Sequence, residues 1–389
     1  MILGIPKEIV EGETRVAIVP ESVGKLTGKL GHTVKIESGA GLASGFSDAE
    51  YTKEGAEVTS DAASIYSQSD VVLKVQRPID HPALGKHELD LMKKGALYIG
   101  FFQPLNHPQL AKRAAETGVN VIAMDQIPRI TKAQRMDVLS SQTNLAGYKA
   151  TLIAADSMKK IFPLMMTAAG TISPAKVVIL GAGVAGLQAI ATAKRLGAVV
   201  EVSDVRPAVK EQVLSLGGRY IEPPEEEAQS ESANNMEDKG GYAKQASEDF
   251  IRRQQEILTR HLADADAVIT TANVPGRKAP LLITDAMLQA MRPGAVIVDM
   301  AAESGGNCSV TKANETVVVN GVSVIGVTNL PALVPYHASQ LYSRNILSLV
   351  EYLSKEGAVV LNLEDEIVKG ALITHNGAVI QEATKNLLG

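Results

Sequence analysis

The chain predicts an α/β fold of two domains, each a doubly wound sheet of parallel strands, with a cleft between them for a ligand. Three observations carry that expectation. At 389 residues the chain is too long for one ordinary core. Short apolar runs alternate with amphipathic stretches along most of its length, as strands joined by crossover helices do. One apolar run, Val177-Val178-Ile179-Leu180, breaks on the glycines of Gly181-Ala182-Gly183-Val184-Ala185-Gly186 and passes into a helical pattern.

The elements follow in order. Met1-Ile2-Leu3-Gly4-Ile5-Pro6 reads as a strand rather than a signal or transit peptide. Further strands are expected at Thr33–Glu37, Val71–Val75, Leu97–Phe101 and Val119–Met124, with helices at Glu21–Leu30 and His107–Thr117 between them. Leu145, Leu152, Ala155, Met158 and Ile161 space a long helix over Leu145–Phe162 that leads into the second domain. That domain continues through strands Ala267–Thr271, Ala295–Asp299 and Val324–Val327. Val317 to Val322 read as a hairpin turning on Asn320-Gly321. After Leu330-Pro331 come one long helix, Ser339–Lys355, and a short tail. Such a returning helix is expected to pack on the first domain. The predicted division is therefore 1–140 plus 336–389 around an inner domain of 141–335.

The glycine run carries the first chemistry. Its first glycine permits a tight turn, its second lets backbone approach a pyrophosphate, and its third lets helix pack close on strand. Phosphates then sit at the helix N-terminus, on its unpaired amides. Leu187, Ile190, Ala191 and Leu196 continue the helix, Gly197 caps it, and Val199-Val200-Glu201-Val202 is the next strand. That strand ends at Ser203-Asp204, and a carboxylate about 20 residues after the glycines holds the hydroxyls of an adenosine ribose. Strand, glycines, helix, strand and acid in this order make a Rossmann-like dinucleotide site; the alternative is a glycine-rich turn without a ligand. Asp204 repels a 2′-phosphate and favours NAD(H) over NADP(H). Arg206 either receives such a phosphate or is a solvated surface arginine.

A second polar concentration lies at the expected domain junction, from Pro128 to Ser141. Arg129, Gln134, Asp137 and Ser140 supply donors and acceptors suited to a carboxamide, and a nicotinamide needs its C4 presented rather than a protein nucleophile. The alternative is a helix start with solvated charges. Pro223–Gly241 is acidic and poor in apolar residues, so it cannot bury enough surface to offset its ordering entropy. Composition admits a mobile loop beside the nucleotide or a surface insertion without function.

Other classes are excluded. Apolar residues at 45% against 21% charged describe a globular protein, and a net charge of −5 with no basic block argues against nucleic acid. The single Cys308 cannot form an internal disulfide, and the seven histidines show no metal-ligand spacing, so His337 and His375 read as ordinary surface or boundary residues. No apolar stretch approaches the roughly 20 residues that span a bilayer, so no direct membrane insertion is expected.

Several segments together resemble one family. They are Pro128-Arg129-Ile130-Thr131-Lys132-Ala133-Gln134, Gly147-Tyr148-Lys149-Ala150, the glycine run, Val209-Lys210-Glu211-Gln212-Val213 and Gly240-Gly241-Tyr242-Ala243-Lys244. Thr270-Thr271-Ala272, Val298-Asp299-Met300-Ala301-Ala302 and Gly305-Gly306-Asn307-Cys308 complete the set. The chain resembles, over nearly its whole length, the NAD(H)-binding alpha subunit of proton-translocating NAD(P) transhydrogenases, a family related to alanine dehydrogenase. The arginine-to-serine stretch and the Gly-Gly-Tyr-Ala-Lys loop are specific to the transhydrogenase branch.

The resemblance implies that Arg129, Gln134, Asp137 and Ser140 meet the nicotinamide side, with Gln134 orienting it toward NADP(H). It implies that Gly181, Gly183 and Val184 meet the pyrophosphate, and that Asp204, Val205 and Arg206 meet the adenosine ribose. The loop around Gly241 and Tyr242 would close over bound nucleotide. Gln254 and Asn273, the latter where the family has leucine, would line the adenine side. It also implies a homodimer, an NADP(H)-binding partner subunit, a membrane proton-channel subunit, and a cytoplasmic place peripheral to the inner membrane through those partners.

Two other functions compete with hydride transfer to NADP⁺ on a partner. One is a free-standing alanine-like dehydrogenase. Arg15 and Lys74 stand where that enzyme's substrate contacts would be, but Phe102 lies where its catalytic histidine is expected and Glu303 where its aspartate is. Without a proton shuttle for imine hydrolysis, Arg15 and Lys74 read as charges kept for structure. The other is an NAD-sensing module.

Overall fold

The computed structural model describes residues 1–224, 248–274 and 276–388. They form two compact units, 1–142 with 331–389, and 143–330. In the first, strands are β1 (Ile2–Ile5), β2 (Thr33–Glu37), β3 (Glu57–Thr59), β4 (Val71–Leu73), β5 (Leu97–Gly100) and β6 (Asn120–Ala123). The second contains β7 (Lys176–Leu180), β8 (Val199–Ser203), β9 (Arg219–Tyr220), β10 (Ala267–Thr270), β11 (Val296–Asp299), β12 (Thr316–Val319) and β13 (Val322–Ile325). The chain returns to the first unit with β14 (Leu372–His375) and β15 (Ala378–Val379). The longest described helices are α1 (Val138–Ser157), α2 (Val184–Arg195), α3 (Glu248–Ala263) and α4 (Pro335–Leu353).

The first unit is an eight-stranded sheet in the order β15-β14-β6-β5-β4-β1-β2-β3. Its strands are apolar without a break because both faces are covered, as in parallel sheets flanked by helices. Val71 and Leu73 enter one core cluster, which also takes Tyr342, Ile346, Val350 and Leu353 of α4. Val72 enters the cluster on the other face with Tyr98, Val121 and Ala111. β1 to β6 pair in parallel, and β14 joins β6 antiparallel.

The second unit is a seven-stranded sheet in the order β9-β8-β7-β10-β11-β13-β12. Val177 and Ile179 of β7 face one cluster, Val178 and Leu180 the other. Only β12 runs antiparallel, through a turn with Asn320 and Gly321 at φ 50° and 75°. Strand order reverses between β7 and β10. The crevice beyond the strand ends at such a reversal is where open α/β sheets bind ligands.

The fold is α/β with parallel-sheet domains. Two elements depart from expectation. The long helix begins at Val138, not Leu145, because the polar residues of its first turns are bonded rather than solvated. Ser141 Oγ donates to Asn345 Oδ1 at 2.8 Å, and Gln142 Nε2 donates to the Ala338 carbonyl at 3.1 Å. A search for apolar periodicity overlooks a helix start buried through hydrogen bonds. The tail is not featureless either: Leu372 and Ile373 are fully buried in β14, an apolar run too short to stand out.

Candidate functional site: a glycine turn, its carboxylate and a polar segment

In the second unit the turn after β7 is shaped by what each glycine's missing side chain leaves free. Gly181 sits at φ 103°, where an L side chain is strained, and a Cβ there would lie 2.4 Å from Thr271 Oγ1. At Gly186 a Cβ would lie 1.9 Å from the Gly181 carbonyl oxygen, so this glycine lets α2 press onto the turn. Gly183 differs: a Cβ there would meet nothing within 4 Å. It is the N-cap of α2, and no side chain caps that helix. The opening amides of a helix lack partners within it, and its dipole places positive potential there. An open backbone face, uncapped amides and no acidic side chain in the first turn fit a pyrophosphate.

Asp204 closes the adjoining side. It follows β8, is 7% exposed, and accepts from the Ala182 amide at 2.7 Å. Arg206 folds back on the same carboxylate, through its amide (2.9 Å), Nε (2.9 Å) and Nη2 (2.8 Å). Arg206 is thus ion-paired in this structure, not a solvated arginine. Tyr220 Oη donates to the Asp204 carbonyl at 2.6 Å and fixes the strand end. Thr271, just past β10, donates from Oγ1 to the Gly181 carbonyl at 3.1 Å, which ties that lip to the glycine turn. Val184 and Val205 are half-buried beside these groups, Gln254 is half-buried on α3, and Asn273 is exposed after Ala272. Gly241 and Tyr242, with residues 225–240 of the acidic stretch, lie outside the described residues.

The polar segment belongs to the first unit. Thr131–Met136 is a 3-10 turn whose Ala133 and Met136 are buried while Gln134 is exposed. Asp137 follows as the cap of α1, accepting from the Ser140 amide at 2.9 Å and from Ser140 Oγ at 2.5 Å. Asn345 Nδ2 donates to the Arg135 carbonyl at 2.8 Å and pins the turn to α4. The structure therefore joins Asp137 to Ser140 and holds the turn rigidly. Arg129 and Gln134 stand on its exposed side, and the Gln134 amide bonds no other described residue.

The positions raised by the dehydrogenase comparison are occupied from within. Arg15 is 3% exposed, and Glu13 takes its Nε and Nη2 at 2.8 and 2.6 Å while Gln142 accepts from Nη1 at 2.9 Å. Lys74 is 1% exposed, bonded to Glu88 and 3.7 Å from Glu8. Burial pushes the Glu8 carboxyl up to about 7, against the pull of Lys74. Glu13 suffers burial too, yet the hydrogen bonds and charge of Arg15, with Gln76, hold it down at about 2. Phe102 is fully buried and Glu303 is exposed. The acidic partners escaped the sequence reading, although Glu13-Thr14-Arg15 in an extended segment gave a signal for one of them. Among the described residues no group of three His, Cys, Asp or Glu is placed to hold a metal ion, and no helix is long and apolar enough to cross a membrane.

Two doubly wound units, one with an open glycine turn and a carboxylate at the end of the next strand, define a nucleotide-binding α/β protein. Comparison with known proteins narrows the class. The model of the alanine dehydrogenase/PNT N-terminal domain matches residues 4–146, and that of the C-terminal domain matches residues 150–382. The chain is 46% identical over 385 residues to the first of the polypeptides that make up the NAD(P) transhydrogenase alpha subunit of Rhodospirillum rubrum, covering 98% of each. A solved transhydrogenase structure from Sinorhizobium meliloti superposes with a TM-score of 0.86 at 43% identity, covering 98% of this chain and 100% of that one. An L-alanine dehydrogenase structure gives 0.82 at 28% identity, covering 100% and 99%. The chain belongs to the alanine dehydrogenase/PNT family, in the branch of the NAD(P) transhydrogenase alpha subunits.

Proposed function

We propose that this chain is the NAD(H)-binding component of a proton-translocating NAD(P) transhydrogenase. The observation that carries the reading is the turn at Gly183, open to an approaching pyrophosphate at an uncapped helix end, with Asp204 beside it. Bound NADH supplies a hydride, which passes to NADP⁺ on a separate NADP(H)-binding subunit. The chain's own residues bind and orient. Gly181, Gly183 and Val184 take the pyrophosphate; Asp204, with Val205 and Arg206, takes the adenosine ribose; Gln254 and Asn273 line the adenine side, and Gly241 belongs to the loop over the nucleotide. Arg129, Gln134, Asp137 and Ser140 take the nicotinamide end, and the rigid 3-10 turn lets Gln134 set the ring's orientation. Asp137, bonded to Ser140, acts by position and not as an acid or base.

Proton coupling resides in a membrane subunit, so the chain is placed in the cytoplasm, peripheral to the inner membrane. A homodimer fits the exposed hairpin of Met165–Thr167 and Gly170–Ile172, where Met166 is 75% exposed. Against the alanine-like dehydrogenase stands the self-pairing of Arg15 with Glu13 and of Lys74 with Glu88, which leaves neither cation free for a carboxylate substrate. The test is direct. Purified chain should quench or shift NADH fluorescence on binding and produce no NADH from L-alanine with NAD⁺. Robust turnover of the amino acid without a partner would overturn the assignment.

A further inference from the structure

We propose that Asn307 is a positioning residue for dinucleotide binding, holding the β10 lip of the crevice in place from behind; the proposal rests on the function just stated. Asn307 is fully buried, and its Nδ2 donates to two backbone carbonyls, Ala272 and Pro280, each at 2.8 Å. These carbonyls mark the two ends of the stretch that carries Asn273. Both are acceptors only, so the amide must turn its NH₂ to them, and its Oδ1 is left buried without a partner. A bare acceptor in the interior opposes folding, and its retention marks the two donated bonds as the purpose of the side chain.

The brace is anchored on both sides. Asn307 N donates to Asp299 Oδ2 at 2.7 Å, and the Asn307 carbonyl accepts from Leu282 and Ile283 at 2.8 and 2.9 Å. Fully buried Asp299 also accepts from Thr270 Oγ1 at 2.9 Å, from Thr311 Oγ1 at 2.6 Å and from the Ala301 and Cys308 amides. The end of β10 is therefore gripped twice, at Thr270 through Asp299 and at Ala272 through Asn307. Between the two grips Thr271 hydrogen-bonds the Gly181 carbonyl. Loosening Ala272 moves the wall beside the glycine turn while leaving the residues of the first unit untouched.

The experiment compares the wild-type chain with Asn307→Ala and Asn307→Ser, titrating NADH and ADP-ribose by fluorescence or calorimetry. Hydride transfer to NADP⁺ is then measured with the NADP(H)-binding subunit at saturating NADH. Loss of two buried bonds predicts affinity for both ligands weaker by about tenfold in the alanine variant. The serine variant, whose hydroxyl keeps one donor, should fall between, and it is the one read if alanine prevents folding. The saturated transfer rate should stay within about twofold, since a misplaced β10 lip weakens capture and not the presentation of the nicotinamide. A folded variant binding both ligands as wild type overturns the proposal, as does an equal fall of affinity and saturated rate. Failure of the wild-type chain itself to bind NADH would instead remove the proposed function.

Discussion

Asp204 shows how one carboxylate can set cofactor choice twice. Its own charge opposes a 2′-phosphate, and its three bonds to Arg206 occupy the cation that would otherwise receive one. Asp204→Asn should weaken NADH binding by about 10–100-fold, the range for losing charge-assisted bonds, while NADPH binding improves as Arg206 is released. Parallel titrations with both nucleotides check this, and an unchanged NADPH affinity would show that Arg206 is held by something else. Asp204 was legible because the glycine spacing points to it. The pairing of Arg206 was not, because sequence leaves its partner and a solvated state equally open. Gln134 offers a second test. Exposed on a pinned turn, it can shorten without disturbing the fold, so Gln134→Asn should slow transfer to NADP⁺ with little loss of NADH affinity. Equal loss of both would make Gln134 a binding residue only.

The strand–turn–helix element separates ligand binding from folding at two glycines three residues apart. Gly183→Ala adds a methyl into open space, so the thermal midpoint should hardly change while NADH affinity collapses. Gly186→Ala drives a methyl to within 1.9 Å of a backbone oxygen, so α2 must move off the turn and stability should drop by about 1–3 kcal/mol. Thermal melts with and without NADH distinguish them, and equal destabilisation would contradict the open face at Gly183. Elements of this kind were readable where apolar runs end on glycine or alternate with amphipathic helices, as at Thr33–Glu37 and Val199–Ser203. They were unreadable where hydrogen bonds replace apolar packing, as in the first turn of α1, or where a strand is short and near the terminus, as in β14. The Asn307 brace left no sequence signal, since its partners are backbone carbonyls 27 and 35 residues away.

At the scale of the whole molecule, the buried charges of the first unit give stability a pH profile. Glu8, faced by Lys74, Glu13 and Glu88, holds a proton up to about 7 against an ordinary value of 4.5. Between those values the folded chain keeps a proton that the unfolded chain has lost. Its contribution is therefore full below 4.5 and disappears as pH rises through 7. Glu13, held at about 2, acts in reverse: its contribution is full above 4.5 and is lost as pH falls through 2. Glu8→Gln should flatten the decline in urea midpoint between 4.5 and 7, and a slope equal to wild type would contradict the raised carboxyl. These charges also explain why a family shared with alanine dehydrogenase need not share its reaction here, since Arg15 and Lys74 are already paired.

The central claim is that this chain hands a hydride directly to NADP⁺ on another polypeptide. Its most direct test is to mix the chain, its NADP(H)-binding subunit, NADH deuterated at the transferred C4 position, and NADP⁺, then to analyse the NADPH by mass spectrometry. The account predicts NADPH that carries the deuterium with none exchanged for solvent hydrogen, and no transfer when either polypeptide is omitted. NADPH bearing solvent hydrogen, or no NADPH from a mixture in which both proteins bind their nucleotides, would contradict it.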